Sequence, residues 1–280
     1  MAPHAGEGSG ERSDPDDEDE LLIDVPDADS DPEGNTSQSR WCSGCTRSHR
    51  ACVCAHIPSN LESRLRGKII ILQHPHEESR NICTGRLLAK CVPVTILRSR
   101  TCPSGKFPDL DAALDDARDG RAPLYVMYPG PGVQDLANLP RPADPPLDPA
   151  QPPDAAKHPS YAYYLFLIDA TWHQAKEMWR HARERLLAHG QQCIVRGGAA
   201  ASGFAMPDGE GNGETPLPGP APFLLMMEPQ EGMMTTMECV ARALGCLEGP
   251  DVMDAILRPL GAMVEIQARY DPAVRCRTGR

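Results

Sequence analysis

The chain has 280 residues, 40% of them hydrophobic, and carries 39 acidic against 28 basic side chains; that length suits one or two domains. No run reaches 18 consecutive apolar residues and the N-terminus has no basic start followed by an apolar stretch, which argues against membrane insertion and secretion. An intracellular protein, cytoplasmic or nuclear, is expected, and its eleven cysteines do not read as a secreted disulfide framework.

Residues 1–40 hold 13 of the acids and only Arg12 and Arg40 as bases, so from residue 41 onward acids and bases balance at 26 each. With little apolar content beyond Leu21-Leu22-Ile23, this acidic tail cannot bury enough surface to offset ordering entropy, and it is expected to be disordered.

The next element is a cysteine knuckle over 41–60. Cys42, Cys45, Cys52 and Cys54 follow the spacing C-x2-C-x6-C-x-C. Two such pairs can close a tetrahedron of thiolates around Zn2+, and four sulfur ligands leave no open position, so the metal would be structural. His49 and His56 are possible substitutes, and a redox pair or four unrelated thiols are the rival readings. Arg47, Arg50, Arg64, Arg66 and Lys68 around the knuckle are either a patch for RNA phosphates or a solvated face.

From 61 to 272 short apolar runs alternate with amphipathic stretches. Strands are expected at Lys68 to Gln73, Leu124 to Tyr128, Tyr163 to Ile168, Cys193 to Val195 and Phe223 to Met227, continuous in apolar character and therefore covered on both faces. Helices are expected at Arg80 to Lys90, Thr171 to His189, Met233 to Leu247 and Val252 to Tyr270. The alternation predicts an α/β fold with a mostly parallel sheet flanked by helices. Eight prolines in residues 139–160 and the Gly/Ala/Pro-rich stretch at 197–222 read as surface insertions, and 273–280 as a short tail.

Ligands of such sheets gather where strands end and helices begin. There the sequence offers Gln73-His74-Pro75-His76-Glu77, in which His74 and Glu77 can face a polar ligand; Tyr128-Pro129-Gly130-Pro131-Gly132, a turn allowing close backbone approach; Asp169-Ala170-Thr171-Trp172; and Glu228-Pro229-Gln230-Glu231-Gly232-Met233-Met234-Thr235-Thr236. Asp169 ends a buried run before a helix, where it is either an N-terminal cap or a general base. Trp172 is either a stacking platform or core, and Thr235 or Thr236 either has a like role or only begins a helix.

Taken together, the cysteine knuckle, QHPHE followed by Gly85-Arg86-Leu87-Leu88, the YPG turn, DATWHQAKEM and EPQEGMMTTMECVARAL resemble the DTW-domain family of tRNA-uridine aminocarboxypropyltransferases over about residues 41–270. The signature aspartate, threonine and tryptophan fall on Asp169, Thr171 and Trp172; Met234-Thr235 stands where relatives usually have Ser-Thr. The resemblance implies a SPOUT-like fold, knotted near the C-terminus, with S-adenosylmethionine held by the strand-end loops and residues His74, Glu77, Tyr128, Pro129, Gly130, Glu228, Gly232 and Thr235. It implies tRNA as the substrate, with the 3-amino-3-carboxypropyl group moved to uridine N3 by Asp169, Thr171 and Trp172. No membrane and no obligate protein partner is inferred. The alternatives are a SPOUT-type RNA methyltransferase, sharing fold and cofactor, and a non-catalytic zinc-dependent RNA-binding module.

Overall fold

In the computed structural model, residues 40–79, 84–143, 161–195, 234–270 and 272 are described. The described residues contribute six strands, β1 (Gly67–Gln73), β2 (Val94–Arg98), β3 (Leu124–Met127), β4 (Gln134–Asp135), β5 (Tyr163–Asp169) and β6 (Gln191–Ile194). These form one sheet in the order β2-β1-β5-β3-β6-β4, every pairing parallel. The helices are α1 (Thr84–Cys91), α2 (Pro108–Arg118), α3 (Trp172–Leu187), α4 (Thr236–Leu247) and α5 (Pro250–Tyr270).

The continuous apolar runs have a direct structural cause. Successive strand side chains point to opposite faces, and both faces are covered. Ile69 and Ile71 of β1 and Leu165 and Leu167 of β5 pack with Leu88 of α1, Val240 and Leu244 of α4 and Ile256 and Leu260 of α5. Ile70, Leu72 and Phe166 point the other way, onto Leu110 and Leu114 of α2 and Met178, Ala182 and Leu186 of α3. The result is a helix–sheet–helix sandwich. At roughly 1.5–3 kcal/mol for each large apolar side chain buried, these two layers supply the main stabilising term.

The α/β expectation is met, and four strands lie close to where it put them. Two strands and a helix were not read. β2 is an edge strand, half-buried over most of its length, so its run lacks the continuous apolar character of a central strand. β4 has only two residues. Helix α2 opens on a proline and carries four aspartates among its eleven residues, which masks the buried triad Leu110, Ala113 and Leu114. Strand β6 begins at Gln191 rather than Cys193, because Gln191 and Gln192 pair with Tyr125 and Val126 through their backbones, a role their polar side chains conceal. The acidic tail, the strand expected at 223–227, the 197–222 insertion and all but the first residues of the 139–160 insertion lie outside the described residues. The path joining β6 to α4 also lies outside them. Among the described residues no helix is long and apolar enough to cross a membrane.

Candidate active site

Because all six strands are parallel, their carboxyl ends line one edge of the sheet. Across that edge stand Ser99 after β2, Gln73-His74 after β1, Asp169 to Trp172 after β5, Tyr128 to Gly130 after β3 and Val195 after β6. Gln73 and Asp169 are register partners at the last position of β1 and β5, so their side chains share a face. Gln73 Nε2 donates to Asp169 Oδ2 at 2.9 Å, and the hydroxyl of Thr236, first residue of α4, donates to Oδ1 at 2.6 Å. The His74 amide donates to the Asp169 carbonyl at 2.9 Å. Asp169 is buried, as are Gln73, His74 and Glu77.

Gly85 of α1 closes the fourth side. A Cβ there would stand 2.8 Å from Asp169 Oδ2, so only glycine lets α1 approach the carboxylate this closely. Both oxygens are thus held by neutral donors, an arrangement that matches the acceptor-only carboxylate form. Among the described residues no cation pairs with Asp169.

The helix after β5 is capped by a different residue. Thr171 Oγ1 accepts from the Gln174 amide at 3.3 Å while Gln174 Oε1 accepts from the Thr171 amide at 3.2 Å, a reciprocal capping box. The capping alternative for Asp169 is therefore corrected: the carboxylate lies two residues before the cap and is turned toward Gln73 and Thr236. Trp172 is the first residue of α3 and half-buried, one residue from the cap.

Thr235 caps α4 by accepting from the Glu238 amide at 3.2 Å, and it is the next residue, Thr236, that touches Asp169. Tyr128 stacks on Trp179 of α3, with ring centroids 4.2 Å apart and planes 12° from parallel. Its backbone carbonyl and that of Pro129 accept from Gln192 Nε2 at 2.9 and 3.3 Å, and a Cβ on Gly130 would meet the same amide at 2.9 Å. His74 Nδ1 accepts from the His76 amide at 3.3 Å, its own carbonyl accepts from the Glu77 amide at 3.0 Å, and the two histidine rings meet edge to face. The edge thus brings together Asp169, Thr171, Trp172, His74, Glu77, Tyr128, Pro129, Gly130 and Thr235. Glu228 and Gly232 fall outside the described residues. Gln73, Gly85 and Thr236 are the residues the sequence reading did not assign, although each stands inside or beside a motif it quoted.

Below the sheet edge, the four knuckle sulfurs all lie within 4.8 Å of one another. Cys42 Sγ is 3.5 Å from those of Cys52 and Cys54, and Cys45 Sγ is 3.8 Å from that of Cys52. These separations exceed a disulfide bond and match the edge of about 3.8 Å in a tetrahedron with metal–sulfur bonds near 2.3 Å. The donor set therefore fits a metal ion, and neither His49 nor His56 belongs to the cluster. Backbone amides of Cys45 and Gly44 hold the Cys42 thiol down to about 6, while hydrogen bonding to Cys42 pushes the Cys54 thiol up to about 12, so one sulfur of the four is prepared as the thiolate a metal needs. Gly44 is required by close approach, since a Cβ there would lie 2.7 Å from Cys54 Sγ. The knuckle is anchored to the sheet domain by Cys45 and Val53 in the core and by Arg47, which donates to Met263 Sδ of α5 at 2.9 Å.

The basic side chains nearby are mostly compensated. Arg64 pairs with Asp251, Arg66 with Glu248 at 2.9 Å, and Lys68 with Asp109 at 2.6 Å, while Arg47 packs onto α5. Arg47, Arg64, Arg66 and Lys68 thus each make a contact within the fold.

Comparison with known proteins adds a family. The DTW domain model matches residues 39–268. Curated relatives include tRNA-uridine aminocarboxypropyltransferase 2 of Macaca fascicularis, 24% identical over 84% of this chain and 65% of the relative. They also include the protein of that name in Drosophila melanogaster, 25% identical over 89% of this chain and 82% of the relative, and tRNA-uridine aminocarboxypropyltransferase A of Arabidopsis thaliana, 27% identical over 82% and 81%. The chain thus spans about two-thirds of the Macaca relative's length. No solved structure matches it. The matched span runs from the cysteine knuckle through the Asp169 cluster into α5, and on it the chain belongs to the DTW domain family.

Proposed function

We propose that the chain is a tRNA-uridine aminocarboxypropyltransferase that moves the 3-amino-3-carboxypropyl group of S-adenosylmethionine to uridine N3 and releases methylthioadenosine. On this reading the fold is SPOUT-like, knotted near the C-terminus, and the knuckle holds structural zinc. The observation that carries the proposal is the Asp169 carboxylate, buried at the carboxyl edge of a parallel sheet and clamped by Gln73, Thr236 and the close approach of Gly85.

S-adenosylmethionine supplies an electrophilic γ-carbon on a sulfonium. Uridine N3 gives its imide proton to Asp169 and forms a bond to that carbon; the carbon–sulfur bond breaks, its electron pair stays on sulfur and the neutral thioether leaves. General-base help of this kind is worth roughly 10² to 10⁴, and alignment of nitrogen, carbon and sulfur contributes as much or more. Gln73 and Thr236 fix the direction of the carboxylate. Trp172, half-buried beside it, offers a face on which an unstacked uridine or the adenine can lie. Thr171 acts through the first turn of α3 that it caps. The His74–Glu77 loop, the Tyr128–Gly130 turn and the 228–235 loop would hold the co-substrate.

The test is incubation with unmodified tRNA and S-adenosylmethionine, followed by mass analysis of nucleosides and small products. The expected outcome is a uridine heavier by an aminocarboxypropyl group together with methylthioadenosine. S-adenosylhomocysteine and a methylated base would assign methyl transfer instead, and unchanged tRNA would favour a binding module.

A further inference from the structure

Chemistry on a tRNA base needs a surface that holds a polyanion at the Asp169 edge, and this inference rests on the functional reading above. The cations around the knuckle do not provide it: Arg64, Arg66 and Lys68 precede or open β1, at the opposite end of the strand from Gln73, and are paired with carboxylates.

At the carboxyl edge the balance is reversed. The amide of Ser99, just past β2, donates to the Gln73 carbonyl at 3.1 Å, and the Ser99 hydroxyl accepts from Lys106 Nζ at 2.9 Å. Since Gln73 itself donates to Asp169, the Lys106 ammonium is linked to the site through two residues. Arg100 is exposed beside Ser99. The acids that follow them, Asp109 and Asp111, are occupied by Lys68 and Arg185.

A second pair of cations stands on the other side of Asp169. Helix α3 leaves the edge at Trp172, and Lys176 and Arg180 lie about 6 and 12 Å along its axis. Lys176 stands about 40° round the helix from Trp172 and Arg180 about 40° further, and Trp179 stacks on Tyr128 at the end of β3. Arg180 is close enough to Tyr128 for its charge to oppose the rise that burial gives the phenol. Glu177 and Glu184 of the same helix neighbour Arg180 at i−3 and i+4, about 60° and 40° further round. Among the described residues none of Arg100, Lys106, Lys176 and Arg180 is in an ion pair.

We infer that these four residues form a two-sided phosphate clamp: Arg100 and Lys106 on the β2 side and Lys176 and Arg180 on α3 hold the tRNA backbone across the carboxyl edge, with the target uridine entering between them to Asp169. Phosphate contacts of this kind set affinity and register without reading sequence.

The experiment compares the full chain with an Arg100→Gln, Lys106→Gln, Lys176→Gln, Arg180→Gln variant, titrated against fluorescently labelled unmodified tRNA over a range of salt. Each lost phosphate contact should reduce the slope of log affinity against log salt by about 0.7–0.9. The variant should therefore lose about three units of slope or slightly more and at least about tenfold in affinity near 0.1 M salt, with S-adenosylmethionine binding and thermal midpoint unchanged. Each half of the clamp, substituted alone, should give a partial loss, which keeps the test open if the quadruple variant does not fold. A control with Lys90→Gln and Arg258→Gln, exposed cations of α1 and α5, should bind as the unaltered chain does. Unaltered binding by the quadruple variant, or an equal loss in the control, overturns the clamp while leaving the transferase reading intact. Failure of the unaltered chain to bind or modify tRNA removes that reading and the clamp with it.

Discussion

At the scale of residues, what distinguishes Asp169 is how its two oxygens are held. Asparagine at 169 still accepts from Gln73 and can donate to the Thr236 hydroxyl, so Asp169→Asn should cost no more than about 1 kcal/mol of stability. It should lower turnover at least about a hundredfold, because it cannot take the imide proton. A near-normal rate in Asp169→Asn, measured as methylthioadenosine released at saturating co-substrate, would remove the general-base role. The adjacent threonines make a sharper pair. Thr235→Ala loses the α4 cap, about 1 kcal/mol in a thermal or chemical melt, and weakens co-substrate binding, with the rate at saturating co-substrate nearly unchanged. Thr236→Val keeps size but strips one donor from a buried carboxylate, and the rate should fall between about tenfold and a hundredfold through misdirection of Asp169. Asp169, Thr171 and Trp172 were legible from the run of buried residues before them and from their motif. Gln73 and Thr236 were not, because their partnership with Asp169 spans 96 and 67 residues of chain and exists only once β1, β5 and α4 are assembled.

At the scale of elements, the cysteine spacing was legible because metal ligation is local: all four thiols lie within thirteen residues, and two backbone amides turned on Cys42 prepare the site. Replacing Cys45 and Cys52 with serine should reduce bound zinc from about one equivalent to near none. With the anchoring of Cys45 and Val53 weakened, the thermal midpoint should fall by roughly 5–10 °C. Full zinc content in the double variant, measured by elemental analysis, would rule out the closed four-sulfur site. The edge strand β2 and helix α2 escaped the sequence reading for a common reason. Both are half-exposed or polar, so burial by neighbours, rather than an intrinsic apolar period, decides that they form. The basic cluster left two alternatives open in the sequence, since a sequence lists charges without their partners, and Glu248 and Asp251 lie far along the chain.

At the scale of the whole molecule, the proposed function implies that the 13 acids before residue 41 bear on encounter with tRNA more than on chemistry. A chain beginning at Arg40 should keep its thermal midpoint and co-substrate binding, and its affinity for tRNA at low salt should rise as repulsion of the polyanion is removed. Aggregation of the shortened chain would mean that the acidic segment contributes to the fold. The central claim is that the carbon chain of S-adenosylmethionine, and not its methyl group, reaches the RNA. It is tested most directly with two preparations of the co-substrate, one isotopically labelled in the aminocarboxypropyl carbons and one in the methyl group, each incubated with unmodified tRNA and this protein. The account predicts that the chain label enters the tRNA while the methyl label leaves in methylthioadenosine; methyl label in the RNA, with the chain label in S-adenosylhomocysteine, would contradict it.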